Sequence, residues 1–226
     1  MNKDIEMAIA SLCDDIATNT DANDNHKRAE AILTLAFSGI FAPDTEDELD
    51  ECEDATQDPE IVKGAPVAGE HFEYNGLEFV ALGYEQGGLL AVMAKPLPEK
   101  MPFDKDNCND WRKSSLRKYL NEEFIKAFDK ADLLPFVSDL TADDGMRDYG
   151  TSEDYIALLS DNLYRKYRKF MPKYDTWVWT ITPWSCTPGN AYIERTVDTS
   201  GALDVTSAFY GSGVAPACIF NPSIFE

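Results

Sequence analysis

Three tryptophans fall within eight residues, Trp177, Trp179 and Trp184, with Tyr174 and Tyr192 near in sequence. In an extended strand, side chains two residues apart share a face. Trp177 and Trp179 would therefore form a stacking platform for a sugar or a base, or else part of a core. Large aromatics usually fill the interior, which favours the core for that pair and leaves Trp184, after Pro183 in a loop-like stretch, as the exposed member. The next segment, Gly189 to Gly213, mixes Tyr with Asn, Ser, Thr, Asp and Gly. Rigid aromatics among small adaptable polar groups are what binding loops use. Trp184, Tyr192, Arg195, Asp198, Asp204 and Tyr210 are therefore the candidate ligand contacts, although a plain hairpin with polar turns would use the same composition.

Covalent and metal chemistry find fewer reagents. Cys13, Cys52, Cys108, Cys186 and Cys218 are odd in number and scattered, no Cys-x-x-Cys occurs, and the only histidines are His26 and His71. These spacings match no familiar zinc site, argue against a disulfide framework, and point to synthesis in a reducing cytoplasm. Carboxylates are abundant but identify no acid–base couple. The residues thus assign no catalytic group, no metal and no cofactor, and the chain reads as a non-enzyme.

Charge narrows the partners. The 226 residues carry 41 acidic against 20 basic side chains, a net charge of -21. That balance excludes ordinary duplex binding, which needs clustered Lys and Arg, and anchoring on an anionic membrane. The acid is uneven: residues 1–60 hold 17 Asp and Glu against Lys3, Lys27 and Arg28. Asp44 to Glu60 holds ten carboxylates and no Lys or Arg, opening with Asp44, Glu46, Asp47, Glu48, Asp50 and Glu51. Such a run is a solvated spacer kept extended by self-repulsion, or it imitates the charge of a nucleic acid before a basic protein. The sign reverses over Leu163 to Lys173, where Arg165, Lys166, Arg168 and Lys169 alternate with Tyr164, Tyr167 and Phe170. On a helix this gives a basic stripe beside an apolar one, expected to make a salt-sensitive contact with the acidic run or to grip an acidic partner.

The elements that must position these residues follow from periodicity. Ile5, Ala8, Ile9, Leu12 and Ile16 recur at helical spacing, and after a polar turn Ala29, Ile32, Leu33, Leu35, Ala36 and Ile40 fall mostly on one side. This predicts a helical hairpin over 1–42, too small to bury its stripe alone and so expected to dock or to form a homo-oligomer. An acidic linker spans 43–64. Past residue 65 the period becomes strand-like, with Asn75-Gly76 and Gly87-Gly88 as hairpin turns of a three-stranded meander. Trp111 to Ala131 reads as helix in two pieces, Tyr155 to Ser160 as a buried strand, and Asp161 to Phe170 as a short helix. Strands are expected at Thr176 to Thr182, Tyr192 to Asp198, Leu203 to Ala208 and Gly213 to Phe220. The fold class is α+β. The start MNKDIEMAIASLCDD has no signal-peptide pattern, and no apolar run approaches the roughly 20 residues of a membrane span.

The ordered strings WRKSSLRKYLN (111–121), IALLS (156–160), TWVWTITPWS (176–185) and GVAPACIFNPS (213–223) resemble an uncharacterised domain family of Firmicute phages and prophages. Its members carry a W-x-x-S-x-L-R-x-x-L-N helix, a W-W or W-x-W strand and a terminal G-V-R-P-A strand. The resemblance covers roughly residues 65–226 and departs at Ala215, where the family has Arg. It implies a C-type-lectin-like fold, shared with formylglycine-generating enzymes and phage hypervariable ligand-binding proteins, with the ligand surface in the C-terminal stretch. The calcium motifs of true C-type lectins, Glu-Pro-Asn or Gln-Pro-Asp with Trp-Asn-Asp, are absent. Three functions follow as expectations. The first is a phage-type binding module for a protein or glycan ligand, cytoplasmic when synthesised or carried on the virion. The second is an acidic inhibitor of a basic nucleic-acid-binding host protein, of anti-CRISPR or anti-restriction type. The third and most remote is a copper-dependent cysteine oxidase using Cys186 and Cys218.

Overall fold

The computed structural model describes residues 64–226. The hairpin expected over 1–42 and the acidic run containing Asp44, Glu46, Asp47, Glu48, Asp50 and Glu51 lie outside the described residues.

Two turns with left-handed backbone set the start of the fold. Asn75 (φ 49°) and Gly76 (φ 79°) join β1 (His71–Tyr74) to β2 (Leu77–Glu85). Gln86 (φ 50°) and Gly87 (φ 86°) join β2 to β3 (Gly88–Met93). Two successive positive φ angles are what a two-residue hairpin loop needs to match strand twist. The meander is as the sequence predicts, but its second turn is Gln86-Gly87, and Gly88 opens β3. A Cβ on Gly88 would meet the Phe220 carbonyl oxygen at 2.5 Å, so glycine is required there by close packing of another strand.

The chain then runs through β4 (Met101–Pro102), α1 (Ser115–Glu122), β5 (Leu133–Leu134), β6 (Phe136–Asp139), β7 (Thr151–Asp154) and β8 (Ile156–Ala157). It continues with α2 (Asp161–Tyr167), β9 (Val178–Pro183), β10 (Ile193–Val197), β11 (Leu203–Ser207), β12 (Gly211–Ser212) and β13 (Ala217–Phe220). The main sheet has the order β1-β2-β3-β13-β5, with β8 also paired to β13. All of its pairs are antiparallel. The last strand thus closes the sheet from inside: Cys218 faces Ala91 across one ladder and Ile156 across the other. A second antiparallel sheet, β11-β10-β9, carries the tryptophan-rich segment, and β4 with β12 and β6 with β7 form small ladders. Among the described residues the class is α+β, mostly antiparallel sheet with two α-helices.

The W-x-x-S-x-L-R-x-x-L-N string explains its own spacing. Trp111 is fully buried and its Nε1–H donates to Asp154 Oδ2 at 2.9 Å. Ser114 caps α1, its Oγ accepting the Arg117 N–H at 3.0 Å. Leu116 and Leu120, one turn apart, face the core. Arg117 Nε donates to Asp154 Oδ1 and Oδ2 at 2.8 and 3.0 Å. Asn121 accepts the N–H groups of Tyr155 and Ile156, both at 3.2 Å, and donates to the Ile156 carbonyl at 2.8 Å. Trp111, Arg117 and Asn121 therefore fasten this helical segment to β7–β8, while Ser114 caps α1 and the two leucines enter the core. Each fully buried side chain of Leu or Phe size contributes about 1.5–3 kcal/mol, so these contacts fix a core of substance.

Candidate ligand-binding surface

Two asparagines and one aspartate build the loops around the second sheet. Asp104 Oδ2 accepts the N–H groups of Asp106 and Cys108 at 3.0 and 3.1 Å, and its Oδ1 accepts that of Ser115 at 2.9 Å. This folds 104–110 into a tight loop in which Asn107 adopts φ 60°. Asn tolerates that left-handed geometry better than most residues. Asn107 Oδ1 then accepts the Ser207 hydroxyl at 2.7 Å and the Phe209 N–H at 3.0 Å. Asn109 is buried; its Nδ2 donates to the carbonyls of Ser185 and Ile193 at 2.9 and 2.7 Å, and its Oδ1 accepts the Tyr149 hydroxyl at 2.8 Å. Its N–H donates to the Ala191 carbonyl at 2.9 Å. One short loop, DNCND at 106–110, thereby stitches both 185–193 and 207–209. The sequence reading missed these residues, although two Asn and two Asp within five positions are a local hydrogen-bonding signal.

On this scaffold stand the exposed aromatics. Trp184 is 37% exposed, Tyr192 42%, Phe209 60% and Tyr210 65%. Tyr192 and Tyr210 are brought together: the Ala208 N–H donates to the Tyr192 carbonyl at 2.8 Å, and the Tyr210 N–H to the Ser207 carbonyl at 3.0 Å. Trp184 continues β9, its N–H donating to the Ile193 carbonyl at 3.2 Å. Phe209 belongs with them and was not among the sequence candidates. Of the pair Trp177 and Trp179, for which the sequence favours the core, only Trp179 is in the core, since β9 begins at Val178. Trp179 is buried, donates to the Met101 carbonyl at 2.8 Å and packs against Phe103, whereas Trp177 lies before the strand and is exposed.

The charged candidates have other employments. Arg195 is not on the open loops; its Nε donates to the buried carboxylate of Asp161 at 2.9 Å, and its Nη1 lies 3.8 Å from Asp143. Asp198 Oδ1 accepts from the Ser200 N–H, the Ser200 hydroxyl and the Ala202 N–H at 2.7–2.9 Å, which ties the β10–β11 turn. Those bonds hold its carboxyl below the usual range. Asp204 is exposed on β11 and accepts the Val205 N–H at 2.7 Å. The basic stripe is partly spent locally: Arg165 pairs with Asp143 and Asp161, and Lys166 with Glu85. Arg168 stacks over Tyr164 and Lys169 over Phe170, at 5.7 and 4.6 Å.

Two thiols of the oxidase reading lie on different elements. Cys218 is buried in β13, where burial pushes it far above its ordinary value, and Cys186 is half-buried in the loop after β9, also pushed up mainly by burial. Both are protonated at neutral pH and are poor nucleophiles and ligands in that form. Among the described residues no group of three or more His, Cys, Asp or Glu is placed to hold a metal ion. No helix among them is long and apolar enough to cross a membrane. What the surface offers is aromatic area and hydrogen-bonding groups on braced loops. Comparison with protein-family models, with curated proteins and with solved structures gives no match to this chain.

Proposed function

We propose that the chain is a non-enzymatic binding module of phage or prophage type, in which a C-type-lectin-like domain presents C-terminal loops to a protein or glycan ligand. One observation carries this reading: all five exposed large aromatics among the described residues fall between Trp177 and Tyr210. Large aromatics at a surface cost solvation and are concentrated where partners bury them. The bracing by Asn107 and Asn109 supports the same reading, since a surface held in place before contact loses less entropy on binding. The lectin-like assignment rests on the resemblance of the strings at 111–121, 156–160, 176–185 and 213–223, of which the first ties α1 to β7–β8 and the last supplies an interior strand of the main sheet. The acidic-inhibitor alternative rests on residues 44–60, outside the described residues.

Site-specific photo-crosslinking tests the proposal. A photoreactive phenylalanine derivative replaces Tyr210 in one full-length protein and Val67, exposed but remote in sequence, in another. With extract of the host cell, adducts are expected at position 210 and not at 67. Adducts at 67 alone, or at neither, overturn the reading.

A further inference from the structure

A cleft of about 300 Å³ opens between the N-terminus of α2 and the segment following β6. Asp139, Asp143, Arg147, Asp161 and Arg165 line it, together with hydroxyl and amide side chains, and the only apolar lining residue is Ala142. Three carboxylates and two guanidiniums line it, and Arg195, behind the lining, is ion-paired to Asp143 and Asp161, so that the charges of the whole group balance. A ligand carrying net charge would therefore gain little from the site as a whole.

The hydrogen-bonding capacity is not used up. Arg165 sits 3.5 Å from Asp161 and 3.6 Å from Asp143, and Arg195 3.8 Å from Asp143, so Asp143 is bracketed by guanidiniums without a short bond to either. Among the described residues the Arg147 guanidinium has no ion-pair or hydrogen-bond partner. Asp161 is 1% exposed, and its Oδ1 has no partner although its Oδ2 holds Arg195 at 2.9 Å. A guanidinium offers five donors in a fixed fork and a carboxylate about four acceptor sites, so these groups have donors and acceptors to spare. The frame is stiff, because the Asp161 N–H donates to Thr182 Oγ1 at 2.9 Å and the Asp143 N–H to the Pro183 carbonyl at 2.9 Å.

We propose that this cleft is a saccharide subsite that takes one neutral sugar ring, with its hydroxyls between the Asp and Arg side chains. The inference rests on the binding-module reading and names its ligand class. A sugar hydroxyl donates and accepts at once, which suits alternating carboxylates and guanidiniums. A neutral ring suits a charge-balanced site. The volume lies at the lower end of the roughly 300–1,000 Å³ typical of ligand pockets, which fits a monosaccharide rather than a longer segment.

Saturation-transfer NMR on the full chain tests this, with glucose, galactose, mannose and N-acetylglucosamine at millimolar concentration as probes and glucosamine (cationic) and glucuronate (anionic) as charged comparators. Transfer to the ring protons of at least one neutral sugar is expected. Arg147→Ala and Asn162→Ala, both at exposed positions of the lining, should each weaken it about tenfold while the melting temperature stays near that of the parent. Absence of transfer from every neutral sugar overturns the inference. So does equal or stronger transfer to the charged comparators, or transfer that neither variant changes. If sugars fail while crosslinking at Tyr210 succeeds, the subsite falls and the binding-module reading stands.

Discussion

Glu194 lies on β10 with no exposed surface, and neither carboxyl oxygen completes a hydrogen bond. Burial pushes the carboxyl well above its ordinary value of 4.5, and the nearby Asp161 carboxylate and Cys108 thiol push the same way against the Arg195 backbone and guanidinium. An uncharged acid is the form the site can hold. The unfolded chain ionises this group near 4.5 and the folded chain only at higher pH, so folding takes up a proton. The stability it contributes is complete below that value and is lost progressively as pH rises towards the folded one. Glu194→Gln should therefore melt higher than the parent at neutral pH and equally at about pH 4; a Gln variant that melts lower at neutral pH contradicts the account. Asp154, also buried, has its hydrogen-bond partners in place: it accepts from the Trp111 indole, the Arg117 guanidinium and the Ser152 hydroxyl. Asp154→Ala strands a buried indole N–H and a guanidinium and should cost about 3 kcal/mol in urea denaturation, discounted for the part-exposure of Arg117. Asp204→Ala, on the exposed strand, should change stability by less than about 0.5 kcal/mol.

The loop at 106–110 is an element whose role is positional. Asn109→Ala removes two bonds to the carbonyls of Ser185 and Ile193 and strands the Tyr149 hydroxyl. It should cost about 2–3 kcal/mol and speed proteolysis between Ser185 and Ala191, measured by limited digestion; unchanged cleavage there would show that the loop is held by something else. The elements themselves were legible in the sequence where local chemistry decides them. The Asn75-Gly76 turn, the helix beginning at Asp161 and strands β9 to β11 lie close to their expected spans, because turn residues and periodicity act over a few positions. Strands β4 to β7 and β12 were not legible. They are two to four residues long, and pairing with distant partners defines them, as Phe136 opposite Asp154 does in the β6–β7 ladder. The expected strand from Gly213 shrinks to Ala217–Phe220 for the same reason: pairing with β3, β5 and β8 sets its limits. At the site, composition marked Trp184, Tyr192 and Tyr210. It could not show that Arg195 turns to Asp161, since that pairing joins β10 to α2.

For the molecule as a whole, the net charge of -21 divides unequally, with -14 in residues 1–60 and -7 in the rest. The described part thus carries a modest charge, and several of its cations are already answered by Asp143, Asp161 and Glu85. Its distinctive surface is aromatic, which makes salt the discriminating variable. Contacts through apolar rings survive ionic strength, whereas a charge-mimicking acidic run loses its partner as screening shortens to a few ångströms. The most direct measurement is ligand capture from host extract at low and high salt by three full-length proteins. They are the parent, a Tyr192→Ala/Phe209→Ala/Tyr210→Ala variant, and a variant with Asp44, Glu46, Asp47, Glu48, Asp50 and Glu51 made amides. The account predicts capture that persists at high salt, survives neutralisation of the acidic run and is lost from the aromatic variant. Capture that disappears with salt and with the amides, while the aromatic variant retains it, would contradict the account and move function to the acidic segment.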